Sequence, residues 1–359
     1  MTATATDAAR DPVAALHRVA YCLDRILAEG HRVQAYIKAA DVIAGLPPGE
    51  LEQRHAEGTL TELPGIGKKT ASIVTQALDG GPVPYLEELE ATTQIGTSEP
   101  GAAELRAAIK GDCHTHSLWS DGGAPIEVMA RAAMALGHEW MVLTDHSARL
   151  TVAHGLDAER LRAQLEEVAE LNERLAPFRI LTGMEVDILL DGGLDLEEDL
   201  LGELDVVVAS VHSKLSMPAA DMTRRMVMAV ASPHVDILGH LTGRKVPGSM
   251  RQVGQSDFPG RVGSSFDADI VFAACARFDT AVEINCRPER QDPPDELLEL
   301  ALEWGCKVAI DTDAHAPGQL EWQPFGCDKA ARHGIEADRI VNTMTADDLV
   351  GWAAGHPTA

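Results

Sequence analysis

From Gly111 onward, short apolar runs alternate with stretches whose apolar positions recur at helical spacing. The runs fall at 111–116, 140–145, 179–187, 205–212, 235–240, 280–286 and 307–312, and the helical stretches at 125–136, 157–175, 219–231, 266–278 and 294–304. Short continuous runs rich in Val, Ile and Leu, separated by helices, predict parallel strands covered on both faces. Seven of them predict an α/β fold, a TIM-like distorted (β/α)7 barrel at residues 111–359. Before residue 96 only helical spacing occurs, in 14–27 and 33–46, ending near Gly30 and Pro47-Pro48-Gly49. This predicts a small all-α domain at residues 11–95, with residues 1–10 as a disordered tail and 96–110 as a linker.

The predicted strand ends carry a common chemistry. His114-x-His116, Asp145-His146, Glu185, His212, His240 and Asp313-x-His315 all close or sit in apolar runs, and Asp121 follows the first of them. In a barrel the C-terminal strand ends converge on one face, where active sites lie. His114 and His116 alternate along a strand, so both imidazoles can reach one ion. Glu185 could bridge two ions through its two oxygens. Gathered imidazoles and carboxylates suit zinc, manganese or iron without selecting among them. The remaining histidines, His17, His31, His55, His138, His154, His234, His333 and His356, read as surface or helix residues.

Within the helical domain, Leu60-Thr-Glu-Leu-Pro-Gly-Ile-Gly-Lys-Lys-Thr reads as a helix-hairpin-helix. Gly65-Ile66-Gly67 makes the hairpin, and the N–H groups that open the next helix can hold a phosphate oxygen, with Lys68 and Lys69 adding charge. Gly65, Gly67, Lys68 and Lys69 are therefore the candidate DNA contacts.

Charge tempers that idea. The net charge is −26, with 10 Lys/Arg against 15 Asp/Glu in residues 1–110 and 20 against 41 in the remainder. Long-range repulsion disfavours tight, unassisted binding to a polyanion, although bound divalent ions would cancel part of the acidic excess. The six cysteines are scattered without a C-x-x-C, no apolar run is long enough to span a membrane, and the first residues lack a secretory pattern. A cytoplasmic protein with reduced thiols is expected.

Several segments together resemble the PHP (polymerase and histidinol phosphatase) family of metal-dependent phosphoesterases. They are His114-Thr-His-Ser, Leu143-Thr-Asp-His, Gly183-Met-Glu, Ser210-Val-His-Ser, Gly239-His-Leu-Thr-Gly-Arg, Glu283-Ile-Asn and Asp311-Thr-Asp-Ala-His. Met222-Thr-Arg-Arg and Gly239–Arg244 are similar to the PHP domain attached to bacterial family X DNA polymerases. Ala35-Tyr-Ile-Lys-Ala-Ala-Asp-Val-Ile and the hairpin resemble the small lyase-type domain that opens those polymerases. The resemblance implies two to three ions. One would be held by His114, His116, Glu185 and Asp313, a second by Glu185, His212 and His240, and a third by Asp121, His146 and His315. Glu185, Asp313 and His240 would stand at the catalytic centre, and Lys214, Arg225 and Arg244 would grip the substrate phosphate.

Two paired ions acidify a bridging water, so a hydroxide would attack phosphorus in line without a protein nucleophile. The polymerase family's nucleotidyl-transfer core has no room between the two domains. Gly248-Ser249 and Asp267-x-Asp269 mimic its motifs but lie inside the barrel match. The Schiff-base lysine of lyase-active members is replaced by Ile73. The expected function is phosphoesterase action on DNA 3′ ends, as 3′–5′ exonuclease or 3′-phosphatase. The alternatives are a small-molecule phosphomonoesterase of the histidinol-phosphatase type and a non-catalytic DNA-repair scaffold.

Overall fold

The computed structural model describes residues 11–247 and 259–357. The expected tail at 1–10 and the Gly248-Ser249 pair lie outside them. The chain divides into two compact units, residues 1–95 and 96–359.

The first unit is helical: α1 (Pro12–Arg25), α2 (Gly30–Ala44), α3 (Glu50–Glu57), α4 (Lys68–Leu78) and α5 (Pro84–Thr92). Asp11 starts α1 by accepting hydrogen bonds from the N–H groups of Val13 and Ala14, with Pro12 in the first turn. Leu16, Val19, Leu23, Ile43, Ile66, Ile73 and Val74 belong to one buried core. Gly65 adopts φ +95° at the hairpin, and a Cβ there would meet the Lys38 side chain at 3.3 Å. The positive φ calls for glycine.

The second unit holds seven parallel strands in sequential order among the described residues. They are β1 (Gly111–Thr115), β2 (Trp140–Leu143), β3 (Arg179–Asp187), β4 (Val206–Ser210), β5 (Ile237–Leu238), β6 (Ala281–Asn285) and β7 (Val308–Asp311). A parallel bridge between Thr115 and Ala314 brings the first and last strands together. The fold is thus a seven-stranded TIM-like barrel. Helices α7 (Ile126–Ala135), α8 (Ala158–Leu175), α10 (Ala219–Val230), α11 (Ala268–Phe278) and α12 (Asp295–Glu303) match the helical stretches read from spacing. Strand β5 is shorter than its apolar run, because the chain turns at Gly239, where a Cβ would lie 2.4 Å from Ser210 Oγ.

The linker expectation for 96–110 needs correcting. These residues belong to the barrel unit and carry α6 (Ala102–Ala108). Ser98 and Glu99 donate their N–H groups to Asp328 at 2.7 and 3.0 Å, and Lys110 N–H donates to Asn342 O at 2.8 Å. Small alanine side chains let the short helix lie close to its neighbours, with Ala102 fully buried. Helices α9 (Glu198–Leu201), α13 (Gln323–Arg332) and α14 (Ala346–Ala353) were not anticipated either.

Gly111 sets the β1–β2 approach: a Cβ there would lie 2.2 Å from the Trp140 ring and 2.5 Å from its carbonyl oxygen. Gly111→Ala is expected to destabilise the barrel by about 2 kcal/mol, the usual scale of overpacking. Chemical denaturation followed by tryptophan fluorescence checks this; an unchanged midpoint would show that the two strands can part without cost.

Candidate metal centre

Each barrel strand delivers its polar residues to the same end. Strand β1 and its extension bring His114 and His116, the following loop Asp121, and the turn after β2 His146. Strand β3 brings Glu185, the segments after β4 and β5 bring His212 and His240, and the segment after β7 brings Asp313 and His315. All nine residues expected as ligands lie in overlapping groups whose ligand atoms are within 4.8 Å of one another. The groups are His116, Asp121, His146 and His315; His114, His240 and Asp313; His114, His116 and Glu185; and His146, Glu185 and His212. Their overlap differs from the three-way division implied by the resemblance: His116 also joins Asp121, and His240 also joins Asp313.

Glu185 is the centre. Its carboxylate lies 3.3 Å from His114 Nε2, 3.7 Å from His116 Nε2, 2.8 Å from His146 Nδ1, 3.1 Å from His212 Nε2 and 2.8 Å from His240 Nε2. Burial alone would raise its pKa, yet the surrounding imidazoles hold it well below the usual carboxylate range. The imidazoles cannot all share that charge. Burial lowers the pKa of His114, but Glu185, Glu283 and Asp313 outweigh it and raise it well above normal. Burial, His315 and His146 push His116 well below normal, and burial with Arg290 takes His240 down to about 4. His212, countering burial through Glu185 and Asp187, goes up to about 9.

Among the described residues, His114 Nε2, both ring nitrogens of His116, and Glu185 Oε2 are buried without a hydrogen bond. Orphaned buried nitrogens and oxygens converging on one spot are the expected environment of a metal ion. The residues present therefore fit divalent ions of the His- and carboxylate-binding kind.

A second layer orients the first. Glu283 on β6 lies 2.6 Å from His114 Nδ1 and accepts the backbone N–H of His240. Asn285, two residues on, donates to both Glu283 and Asp313 at 3.1 Å. His240 and Asp313 adopt φ +20° and +51°, conformations that cost non-glycine residues about 1–3 kcal/mol each. Glu283 stabilises the first, and Arg287, donating to the Asp313 carbonyl at 2.7 Å, the second. Arg290 Nε lies 3.1 Å from Asp313 Oδ2. Glu283, Arg287 and Arg290 escaped the reading of single residues. The alternation Glu283-x-Asn285-x-Arg287 at a strand end was the available signal.

Several expectations change. Arg225 is fully buried and donates to the carbonyls of Leu189 at 2.9 Å, Ser213 at 2.8 Å and Ile188, so it fastens two loops and cannot grip substrate. Arg244 is half-buried and donates to the carbonyls of Arg290 and Gln291. Lys214 is exposed, two residues past His212, at φ +55°. Asp145 turns away from the centre to accept from Ser117, Ser120 and Gln164. Asp267 caps α11, Asp269 accepts from Trp304, and Ile73 is buried in the helical core, so the mimics of polymerase and lyase chemistry have structural roles. His138 and His356, read as surface or helix residues, are buried. Lys68 and Lys69 are exposed at the start of α4, while Gly67 N–H is taken by Thr70 Oγ1 at 2.9 Å.

Comparison with known proteins finds a match for each of the two units. Residues 8–82 match the helix-hairpin-helix domain model and residues 112–245 the PHP domain model. The DNA polymerase/3′-5′ exonuclease PolX of Bacillus subtilis is 39% identical over 67% of this chain and 40% of its own length. The chain thus spans well under half of that relative. A probable phosphatase of Thermoanaerobacter sp. is 28% identical over 65% of this chain and 89% of its own. Histidinol phosphate phosphatase from Lactococcus lactis superposes at TM-score 0.41 with 18% identity, covering 63% of this chain and 94% of that one, too distant to carry weight.

Two substitutions test the layer behind the ligands. Glu283→Gln leaves an amide facing the His240 N–H, so metal affinity should fall about 10–100-fold in a chelator competition. Unaltered affinity would reduce Glu283 to a packing residue. Arg225→Met strands three carbonyls and should cost about 2–4 kcal/mol in denaturation with little change in KM. A raised KM at unchanged stability would return Arg225 to the substrate site.

Proposed function

We propose that the protein, a phosphoesterase with a PHP barrel, acts on DNA 3′ ends, as a 3′–5′ exonuclease or 3′-phosphatase. The observation that carries this reading is the union, in one chain, of the buried ligand cluster with a helix-hairpin-helix whose two lysines are exposed. The relative whose name joins DNA polymerase to 3′-5′ exonuclease supports it over 67% of the chain. The exonuclease part of that name suits these residues better than the polymerase part, since Asp267 and Asp269, which mimic polymerase motifs, cap a helix and accept from Trp304.

We assign two or three divalent ions, zinc, manganese or iron, to His114, His116, Asp121, His146, Glu185, His212, His240, Asp313 and His315. Such ions supply an acidified water and neutralise the phosphoryl oxygens of the ester. Glu185 provides the central negative charge and Asp313 a second one. Glu283 holds the His114 ring and the His240 backbone at the cluster, and Arg287 and Arg290 hold the Asp313 side of it. Lys214, exposed beside His212, is a cation able to meet a phosphate oxygen. The helical domain adds Lys68 and Lys69 and the first-turn N–H groups of α4 as a contact to the DNA backbone. No helix among the described residues is long and apolar enough to cross a membrane, and six buried free cysteines suit a reducing cytoplasm.

A second reading, hydrolysis of a small phosphomonoester of the histidinol phosphate type, has one observation in its favour. The probable phosphatase matches over 89% of its own length, leaving little for a domain like the helical one. Purified protein should be given metal, then DNA with 3′-phosphate or 3′-hydroxyl ends and a panel of small phosphomonoesters. DNA turnover abolished by chelator is expected; turnover of monoesters alone would establish the second reading.

Lys68→Glu/Lys69→Glu should lower DNA turnover on the order of tenfold at low salt, more than it lowers hydrolysis of a small chromogenic phosphodiester. Equal effects on both substrates would assign the hairpin a packing role.

A further inference from the structure

The two residues of the Asp145-His146 pair, just past β2, part company in the fold. His146 joins the ligand cluster, while the Asp145 carboxylate is fully buried and turned from it. Five donors converge on that carboxylate. Ser117 gives its N–H at 2.8 Å and its hydroxyl at 2.6 Å, and Ser120 its N–H at 3.2 Å and its hydroxyl at 2.5 Å. Gln164 of α8 gives its amide at 2.7 Å. Four of these five donors belong to the short turn that runs from His116 to Asp121.

The turn is wound tightly. Ser117 O accepts the N–H groups of Ser120 at 3.1 Å and Gly122 at 2.9 Å, and the Ser117 hydroxyl accepts Trp119 N–H at 3.1 Å. A Cβ at Gly122 would lie 2.6 Å from Ser117 O, too close for any side chain. Gly123 N–H then donates to His315 O at 2.6 Å, and Arg160 donates to Trp119 O. The residue held at the end of the turn is Asp121, whose Oδ1 lies 3.5 Å from His146 Nε2 and 3.3 Å from His315 Nε2. Asp121, His116, His146 and His315 form the outermost ligand group: its one carboxylate, Asp121, is exposed, whereas Glu185 and Asp313 of the other groups are buried.

We propose that Asp145 is the positioning residue of this outer group: it folds the 117–122 turn and so sets Asp121 against His146 and His315, without itself touching an ion. The inference rests on the assignment of ions to the nine ligands and divides it, because the groups around Glu185 and Asp313 take no ligand from the turn. A carboxylate already held in place needs no ordering when an ion arrives, so affinity at the outer group depends on the turn. The role is one of hydrogen-bond geometry. An asparagine at 145 would preserve it, since serine hydroxyls and the Gln164 amide can each turn to accept.

The test uses the full chain, stripped with a chelator and titrated with manganese(II), with free ion followed by electron paramagnetic resonance and bound ion by elemental analysis. Asp121→Asn identifies the outer ion as the one it weakens. Asp145→Ala should weaken that same ion about tenfold or more and leave the others at wild-type affinity. Asp145→Asn should recover most of the loss. Asp145→Ala/Asp121→Asn should lose little beyond the single variants, since both changes act on one placement. Should Asp145→Ala not fold, Ser120→Ala withdraws one side-chain donor and should weaken the outer ion about fivefold, the worth of one hydrogen bond. Wild-type affinity in these variants, additive losses, equal weakening of every ion, or no recovery in Asp145→Asn overturns the positioning role and leaves the ligand assignment intact. An Asp121→Asn protein that binds every ion as the wild type does overturns the assignment of Asp121, and the positioning role with it.

Discussion

The barrel is organised around one electrostatic interaction, a fully buried Glu185 carboxylate among five imidazoles from four strand ends. A lone buried carboxylate is costly, and so is a buried imidazolium. Here each makes the other tolerable. The balance is uneven: His114 and His212, paired also with Glu283 and Asp187, are driven toward the charged form, and His116 and His240 toward the neutral one. A neutral imidazole such as His116, whose two ring nitrogens have no hydrogen-bond partner, keeps a lone pair for a metal ion.

Strand β6 shows how the fold maintains that centre. It contributes none of the nine candidate ligands, yet Glu283 and Asn285 reach His114, His240 and Asp313 from three other strands. Two of those three residues sit in strained left-handed backbone, so their placement depends on these hydrogen bonds rather than on local preference. The loop after β6 then brings Arg287 and Arg290 against Asp313. Cations here lower the pKa of Asp313, against the effect of burial. One strand and its loop thus orient candidate ligands from three others.

The strand-and-helix alternation after Gly111 was legible because each strand is buried on both faces and each helix on one, which writes different periods into the chain. The candidate ligand residues could be grouped from the sequence because strand ends in a parallel barrel must meet on one face. Residues 96–110 were misread for a related reason: their burial is supplied by small alanines and by hydrogen bonds to Asp328 and Asn342, which leave no apolar period. Arg225 was misassigned because an arginine's sequence context does not reveal whether its guanidinium faces solvent or three backbone carbonyls.

By itself, then, the sequence determined the seven strands, the two-part organisation and the set of side chains able to bind metal, since these follow from periodicity and residue chemistry. Only the tertiary structure decided which ligands share an oxygen of Glu185, which arginine is a clamp, and that Glu283 orients the site without joining it. Those outcomes depend on distances between residues as many as 169 positions apart in the chain, as His114 and Glu283 are. Distances of that kind are set by barrel closure and register, which no local pattern encodes.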